Sequence, residues 1–310
     1  MSGIAAIAGP LAPLLLDAAI GEVVVNGPAN IWVELDGQLR PVDTRFRDSL
    51  ELRRTAVRLV AACGRRIDDA TPFVDARLPD GSRVNDVLPP LAVDGPLITI
   101  RRFGAASLRF GDLRARGAID DAGAERILGL VRDRRNILIS GGTATGKTTL
   151  LSAITGLIGD GERIVTVEDA AELAVQARHV ARLEARPANV EGRGAVDVRQ
   201  LVRNALRMRP DRLVVGEVRG GEALDLLLAM NTGHDGSLAT IHANGPEDAL
   251  RRLETMALMG DVDVPHSAVR EQIATAVHAV IHLVRDADGT RRVTDIATVA
   301  RAAGTWRLDR

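Results

Sequence analysis

Apolar and polar positions fall in short, regular patterns along the first hundred residues. GEVVVNGP and IWVELDG are apolar runs joined through Asn26-Gly27-Pro28, which predicts two strands and a turn. Residues 48–64 place apolar side chains at helical spacing and predict a helix closing near Gly64. DARLPDGSRVNDVLPP predicts a hairpin turning at Asp80-Gly81, and GPLITIRRF a further strand. Together these make a small α+β domain over residues 1–103. Residues 104–116 lack a clear period and are read as a linker. From Asp120 the pattern changes: AGAERILGLVRDR is helical, NILISG is a buried strand, and KTTLLSAITGLI follows a glycine-rich loop as a helix. RIVTVED, DRLVVGE, SLATIHA and AVIHLVR are short β-branched strands between helical stretches. That alternation predicts an α/β domain over 117–310, with a parallel sheet covered on both faces.

Composition narrows the function classes. The chain has 310 residues, 46% of them apolar and 26% charged, as in a globular protein. Forty basic against 41 acidic residues give a net charge of −1, so no global field attracts nucleic acid or an acidic membrane. Two tryptophans, four phenylalanines and no tyrosine offer few platforms for stacking bases, so a nucleic-acid partner is not expected. A lone cysteine, Cys63, excludes an intrachain disulfide and a four-cysteine metal site, and suits a reducing compartment. The opening MSGIAAIAGPLAPLLL is uncharged, but it lacks a basic start and is interrupted by Pro10 and Pro13, so a signal peptide is not expected. No uncharged apolar run reaches the length of a membrane span. One count stands out. Of the 40 basic residues one is lysine, Lys147, and 39 are arginines.

That lysine lies in a specific motif. Gly141-Gly142-Thr143-Ala144-Thr145-Gly146-Lys147-Thr148 fits G-x-x-x-x-G-K-[ST], between a strand and a helix. Glycines let the backbone wrap phosphate oxygens, and successive N–H groups form a nest at the positive end of a helix. Lys147 would reach the β- and γ-phosphates, Thr148 would ligate Mg²⁺, and Thr149 follows in the same helical turn. ATP and Mg²⁺ are therefore the expected ligands. Glu217 ends the strand DRLVVGE, where an acid that holds the Mg²⁺ shell through water or orients the attacking water belongs. The plain alternative is a strand-end glutamate facing solvent. Glu168, Asp169 and Glu172 lie at the end of RIVTVED, on the sheet edge where ligands bind in open α/β folds. Glu168 is the better catalytic candidate, and Asp169 with Glu172 could equally form a helix cap. His234 and His242 flank the strand SLATI and could sense the γ-phosphate; His179, His266, His278 and His282 are left structural. Arg83 and Arg101 end strands of the first domain, and Arg182 and Arg186 follow the Glu168 segment as possible arginine fingers.

RMRPDRLVVGEVRGGEALDLLLAMNTGHDGSLATIHAN closely resembles the secretion ATPases of bacterial type II and type IV systems. VNGP, DARLPDGSRVN and LPPLAVDGPLITIRRF look like the tight-adherence (Flp pilus) branch, which is similar to the traffic ATPases of type IV secretion. The resemblance runs from about Pro10 to the end. It implies a hexameric ring of RecA-like P-loop domains, each with a smaller N-terminal domain, docked in the cytoplasm on an inner-membrane platform protein. ATP would sit between the two domains of a protomer, completed by a neighbour. Gly141 to Thr148 match the Walker A loop, Glu217 the Walker B acid, Glu168, Asp169 and Glu172 the Asp box, and His234 and His242 the His box. Arg83 and Arg101 match N-terminal-domain arginines that approach the phosphates, and Arg182 fits an arginine-finger position. Three departures stand beside these matches. Family members often carry a longer N-terminal region. IATVARAAG lacks an acidic residue expected near the C-terminal strand. The four-cysteine zinc insert of the pilus extension ATPases is impossible with one cysteine. The expected activity is Mg²⁺-dependent ATP hydrolysis by a motor for Flp pilus assembly or type II/IV-like secretion. The alternatives are a conjugative or DNA-translocating traffic ATPase and a nucleotide-gated scaffold without turnover.

Overall fold

In the computed structural model the described residues are 2–35, 37–102, 108–186, 188, 193–260, 262–302 and 305–309. They fall into two units, Met1–Ala106 and Ser107–Arg310.

The first unit begins with α1 (Ser2–Ile7), a 3₁₀ turn (Gly9–Leu11) and α2 (Ala12–Leu16). The uncharged opening is thus short helical pieces that bury Ile4, Ala8 and Leu11 in the unit's core. β1 (Ile20–Asn26), β2 (Ile31–Leu35) and β3 (Gln38–Val42) follow, then α3 (Ser49–Ala62), β4 (Phe73–Arg77), β5 (Arg83–Val87) and β6 (Leu97–Arg101). The sheet order is β3-β2-β1-β6-β5-β4, antiparallel throughout. α3 starts where Asp48 accepts the N–H of Glu51 at 2.8 Å, and Glu51 accepts the N–H of Arg47 at 2.7 Å. The two exchanges satisfy donors that a helix start leaves open. Its buried stripe, Leu52, Thr55, Ala56, Leu59 and Val60, joins the core formed by Val23, Val25, Ile98 and Ile100. β3 was not predicted. It is an edge strand of mostly exposed residues containing Pro41, so it lacks the apolar alternation of a covered strand.

The second unit runs α4 (Phe110–Ala115), α5 (Asp121–Arg132), β7 (Ile137–Gly141), α6 (Lys147–Thr155), β8 (Ile164–Glu168), β9 (Val180–Glu184), α7 (Val198–Ala205) and β10 (Arg212–Val218). It continues with α8 (Glu222–Asn231), β11 (Leu238–His242), α9 (Pro246–Leu258), α10 (His266–Ala276), β12 (Ala279–Arg285), β13 (Arg291–Ala302) and β14 (Thr305–Asp309). The sheet order is β14-β13-β12-β7-β11-β10-β8-β9. The six strands from β12 to β9 are parallel, and β13 and β14 extend one edge antiparallel. Ile137 and Ile139 pack on one face with α5 and α6 residues such as Ile127 and Leu151. Leu138 faces the other side, with Leu227 of α8 and Leu250 of α9. Both faces are covered, so β7 and β8 are buried at every position. This is the RecA-like α/β architecture expected from the sequence, accompanied by the smaller α+β unit.

The segment read as a linker needs correcting. Residues 103–107 lie outside the described residues, but Phe110 and Leu113 are buried in the second unit's core on one side of α4. A six-residue helix with apolar side chains three apart is too short to reveal a period.

Candidate functional site

β7 ends at Gly141, and the chain loops from there into the N-terminus of α6. A Cβ on Gly141 would lie 2.6 Å from the Leu283 carbonyl oxygen and 2.6 Å from Thr145 Oγ1, so only glycine allows this approach of β7 to β12. Gly146 precedes α6 at φ +94°, a left-handed conformation that favours glycine. The Thr145 hydroxyl donates to the Gly142 carbonyl at 3.0 Å and tightens the loop. Lys147 is buried, and its ammonium donates to the carbonyls of Gly141 at 3.0 Å and Gly142 at 2.7 Å. Burial pushes its pKa down, while the nearby Glu217 carboxylate opposes the shift. Thr148 and Thr149 are half-buried in the first turn of α6, and Thr143 and Ala144 are exposed at the loop tip.

The Glu217 carboxylate lies beside this loop. Between Val215 and Val218 the β10–β11 register shifts, with one more residue on β10 than on β11. Such a bulge re-aims side chains. Thr240 of β11 donates to the Gly216 carbonyl at 2.5 Å and holds the bulge. Glu217 Oε1 is 3.1 Å from His242 Nε2, and Oε2 accepts from Arg219 Nη2 at 2.7 Å. His242 Nε2 is in turn 3.5 Å from Lys147 Nζ. Burial lowers the His242 pKa, Lys147 lowers it further and Glu217 raises it. The imidazole therefore tends toward the neutral form, which can accept at Nε2 or donate from it.

Glu168 sits differently from the sequence expectation. It is only 3% exposed, and its Oε1 accepts the N–H groups of Glu172 and Leu173, both at 2.8 Å. Its Oε2 is 3.9 Å from the Arg182 guanidinium, and burial pushes its pKa up. A Cβ on Gly216 would lie 2.8 Å from Glu168 Cγ, so that glycine makes room for the side chain. Glu168 thus ties down the chain after β8. No helix follows Asp169, so the capping alternative does not apply; the carboxylate that takes the free N–H groups is Glu168. Asp169 is exposed, with Oδ2 3.6 Å from Arg219 Nη1, and Glu172 is half-buried.

The remaining candidates separate. His234 lies in the turn before β11, its Nδ1 3.2 Å from the Ala229 carbonyl. Five strand residues at ~3.3 Å each put it roughly 16 Å from the edge that carries His242, at the opposite end of a parallel strand. Within this chain the structure does not bring it to Lys147. Arg182 Nη2 donates to the Leu173 carbonyl at 3.0 Å, beside the buried Glu168 of its own chain. Arg186 bonds the Gly194 carbonyl. Arg83 and Arg101 stand opposite one another on β5 and β6 of the first unit, both exposed.

Several residues near the site were missed. Arg219 follows Glu217 by two, just past the end of β10, and its guanidinium turns back to the Glu217 carboxylate. His282, left structural from the sequence, is buried, with Nδ1 2.9 Å from Ser140 Oγ, immediately before the loop. Asp295 pairs with His282 across β12 and β13, one residue before IATVARAAG, so the acidic residue sought there is on the same strand. Among the described residues no group of three or more His, Cys, Asp or Glu side chains is placed to hold a metal ion. The oxygen donors at the loop, Thr148 and Glu217, suit a hard cation that brings phosphate oxygens with it.

The type II/IV secretion system protein family matches residues 5–307. A putative conjugal transfer protein of Mycobacterium tuberculosis is 46% identical over 315 residues, covering 98% of this chain and 89% of that protein. The type IV secretion system protein PtlH of Bordetella pertussis is 35% identical, covering 92% of each. Among solved structures, the VirB11 ATPase of the Brucella suis type IV secretion system aligns with a TM-score of 0.52 at 26% identity, over 96% of this chain and 94% of that one. The pilus retraction motor PilT aligns with a TM-score of 0.66 at 19% identity, over 94% and 82%, which shows the shared fold. The chain belongs to the type II/IV secretion system ATPase family.

Proposed function

We propose that this chain is a Mg²⁺-dependent ATPase that drives a type IV secretion or conjugal-transfer apparatus. The observation that carries the reading is the row Lys147, His242, Glu217, each within 3.5 Å of the next, at the mouth of a P-loop. The Glu217 carboxylate orients a water molecule for in-line attack on the γ-phosphate and accepts its proton. Lys147 places a point charge on the β- and γ-phosphates, and the N–H groups of the loop cradle them. Thr148, and Glu217 through water, would hold Mg²⁺, which supplies charge neutralisation on the phosphate oxygens. His242 joins Lys147 to Glu217 and registers whether the γ-phosphate is present.

The conjugal-transfer and type IV secretion relatives favour the conjugative reading over the tight-adherence branch. Following the family resemblance, the working form is a homohexamer on the inner face of the cell membrane, held there by a platform protein. Among the described residues no helix is long and apolar enough to cross a membrane.

Steady-state hydrolysis of ATP with Mg²⁺, measured beside the particle mass, tests the proposal. Turnover is expected in the oligomer, and its loss in Lys147→Ala. Glu217→Gln should cut kcat by about 100-fold or more while retaining nucleotide. Equal turnover in a monomer would overturn the ring; wild-type turnover in Lys147→Ala would overturn the site.

A further inference from the structure

Arg219 has no role in the mechanism above, yet its side chain lies between two of the carboxylates considered for it. Nη2 donates to Glu217 Oε2 at 2.7 Å, a charge-assisted hydrogen bond. Nη1 lies 3.6 Å from Asp169 Oδ2, an ion pair across two strand ends. One guanidinium therefore spans from the carboxylate after β8 to the one at the end of β10. A planar fork with donors on two nitrogens can do this; a lysine ammonium is a single point.

The backbone beneath Arg219 is held independently. The N–H groups of Arg219 and Gly220 both donate to Glu222 Oε1, at 2.6 and 2.9 Å. Glu222 is itself buried at the start of α8. A Cβ on Gly221 would lie 3.1 Å from Gly260 Cα, so this turn is packed against the chain after α9. The root of the side chain is fixed, and its reach is set by the fold.

The bland alternative is a solvated surface pair. Arg219 is 61% exposed, and exposed pairs contribute about 0–1 kcal/mol to stability. Stability is thus a poor reason for the arrangement. Geometry is a better one. Glu217 has two oxygens: one faces His242, and the other is taken by Arg219. With both held, the carboxylate has one orientation instead of several. Asp169, 3.6 Å from the other terminal nitrogen, would limit the swing of the guanidinium.

We propose that Arg219 is a positioning residue that locks the Glu217 carboxylate in its working orientation, braced by Asp169. This deepens the ATPase reading and rests on it. Arg219 acts through Glu217 and touches no reacting atom.

The test uses the full chain as wild type, Arg219→Gln, Arg219→Ala, Asp169→Asn and the double variant Arg219→Gln/Asp169→Asn. Turnover, KM for ATP, the Kd of a fluorescent ATP analogue and the particle mass are read for each. In Arg219→Gln kcat should fall by about 100-fold, the penalty of a mispositioned catalytic group, with Kd and mass as in wild type. Asp169→Asn should fall less. The double variant should be no slower than Arg219→Gln alone, because the brace has nothing left to hold. Added guanidinium ion should restore part of the kcat of Arg219→Ala, and none of Glu217→Gln. Wild-type kcat in Arg219→Gln, multiplicative losses in the double variant, or a loss confined to Kd would each overturn the proposal. The ATPase reading is judged separately, by wild-type turnover and its loss in Lys147→Ala.

Discussion

Asp86 is the least expected side chain in the first unit. It lies on β5, opposite Val74 and Ile98 of the flanking strands, and is 0% exposed. Neither carboxylate oxygen has a hydrogen-bond partner. A bare buried carboxylate is costly, so the group holds its proton instead. Burial pushes its pKa from 3.8 up to about 8. In the unfolded chain the same carboxyl ionises near its ordinary value. The folded state therefore binds the extra proton, and stability falls as pH rises from near 4 to about 8. Below that window the wild type bears no penalty. Above it the penalty is complete. A displacement of about 4 pH units at about 1.4 kcal/mol each makes it about 6 kcal/mol, an upper bound because local opening admits water.

Asp86→Asn keeps the shape and removes the titration. The expected result is a stability gap between variant and wild type that is small near pH 4 and widens toward pH 8, with the variant the more stable. Trp32 is in β2 of the same sheet and Trp306 is in the second unit, and these are the chain's two tryptophans. In a Trp306→Phe background, urea unfolding of the full chain followed by Trp32 fluorescence therefore reports the first unit alone. A gap that changes by less than about 1 kcal/mol between about pH 4 and about pH 8 would refute the reasoning.

Other substitutions probe the second unit. Gly216→Ala drives a Cβ to within 2.8 Å of Glu168 Cγ inside the sheet, and should cost about 1–3 kcal/mol in thermal unfolding. Glu168→Ala strips the acceptor from the N–H groups of Glu172 and Leu173 and should cost about 1–3 kcal/mol; Glu168→Gln keeps an acceptor oxygen and should cost less. His242→Ala should lower kcat in the hydrolysis assay and His234→Ala should not, since the two lie at opposite ends of β11; equal losses would put the sheet-edge argument in error. Gly141→Ala brings a Cβ to 2.6 Å from the Leu283 carbonyl in the β7–β12 pairing, and should lower the thermal unfolding midpoint as well as weaken binding of a fluorescent ATP analogue.

What could be read from the sequence depended on whether the signal was local. The glycine-rich loop is contiguous, so its place between β7 and α6 could be read directly from the sequence. The helix α3 and the hairpin at Asp80-Gly81 were legible for the same reason. Edge elements were not. β9, with the sequence VARLE, has no buried residue, and its charges drew attention instead as possible arginine fingers. α4 buries one turn only. Asp86 was legible in principle: Val84 and Leu88 point to the core with it, so the alternation placed an acid at a core position.

The site residues divide by a different rule. Strand direction decides which end of a parallel strand carries chemistry, and it was available from the βαβ pattern. Applied to SLATIHA, it selects His242 and discards His234 within the chain. Glu168 could not be resolved this way. Every residue of β8 is buried, so alternation no longer separates a side chain facing a ligand from one turned into the fold. Only the packing reveals that Glu168 satisfies the N–H groups of Glu172 and Leu173 beside Gly216. Glu217 escapes that ambiguity because the bulge at Gly216 breaks the register of β10, and His242 and Arg219 then hold one carboxylate oxygen each. The bulge and the two contacts are what set Glu217 apart from Glu168: its carboxylate is held at the sheet edge beside Lys147, whereas that of Glu168 is turned into the fold.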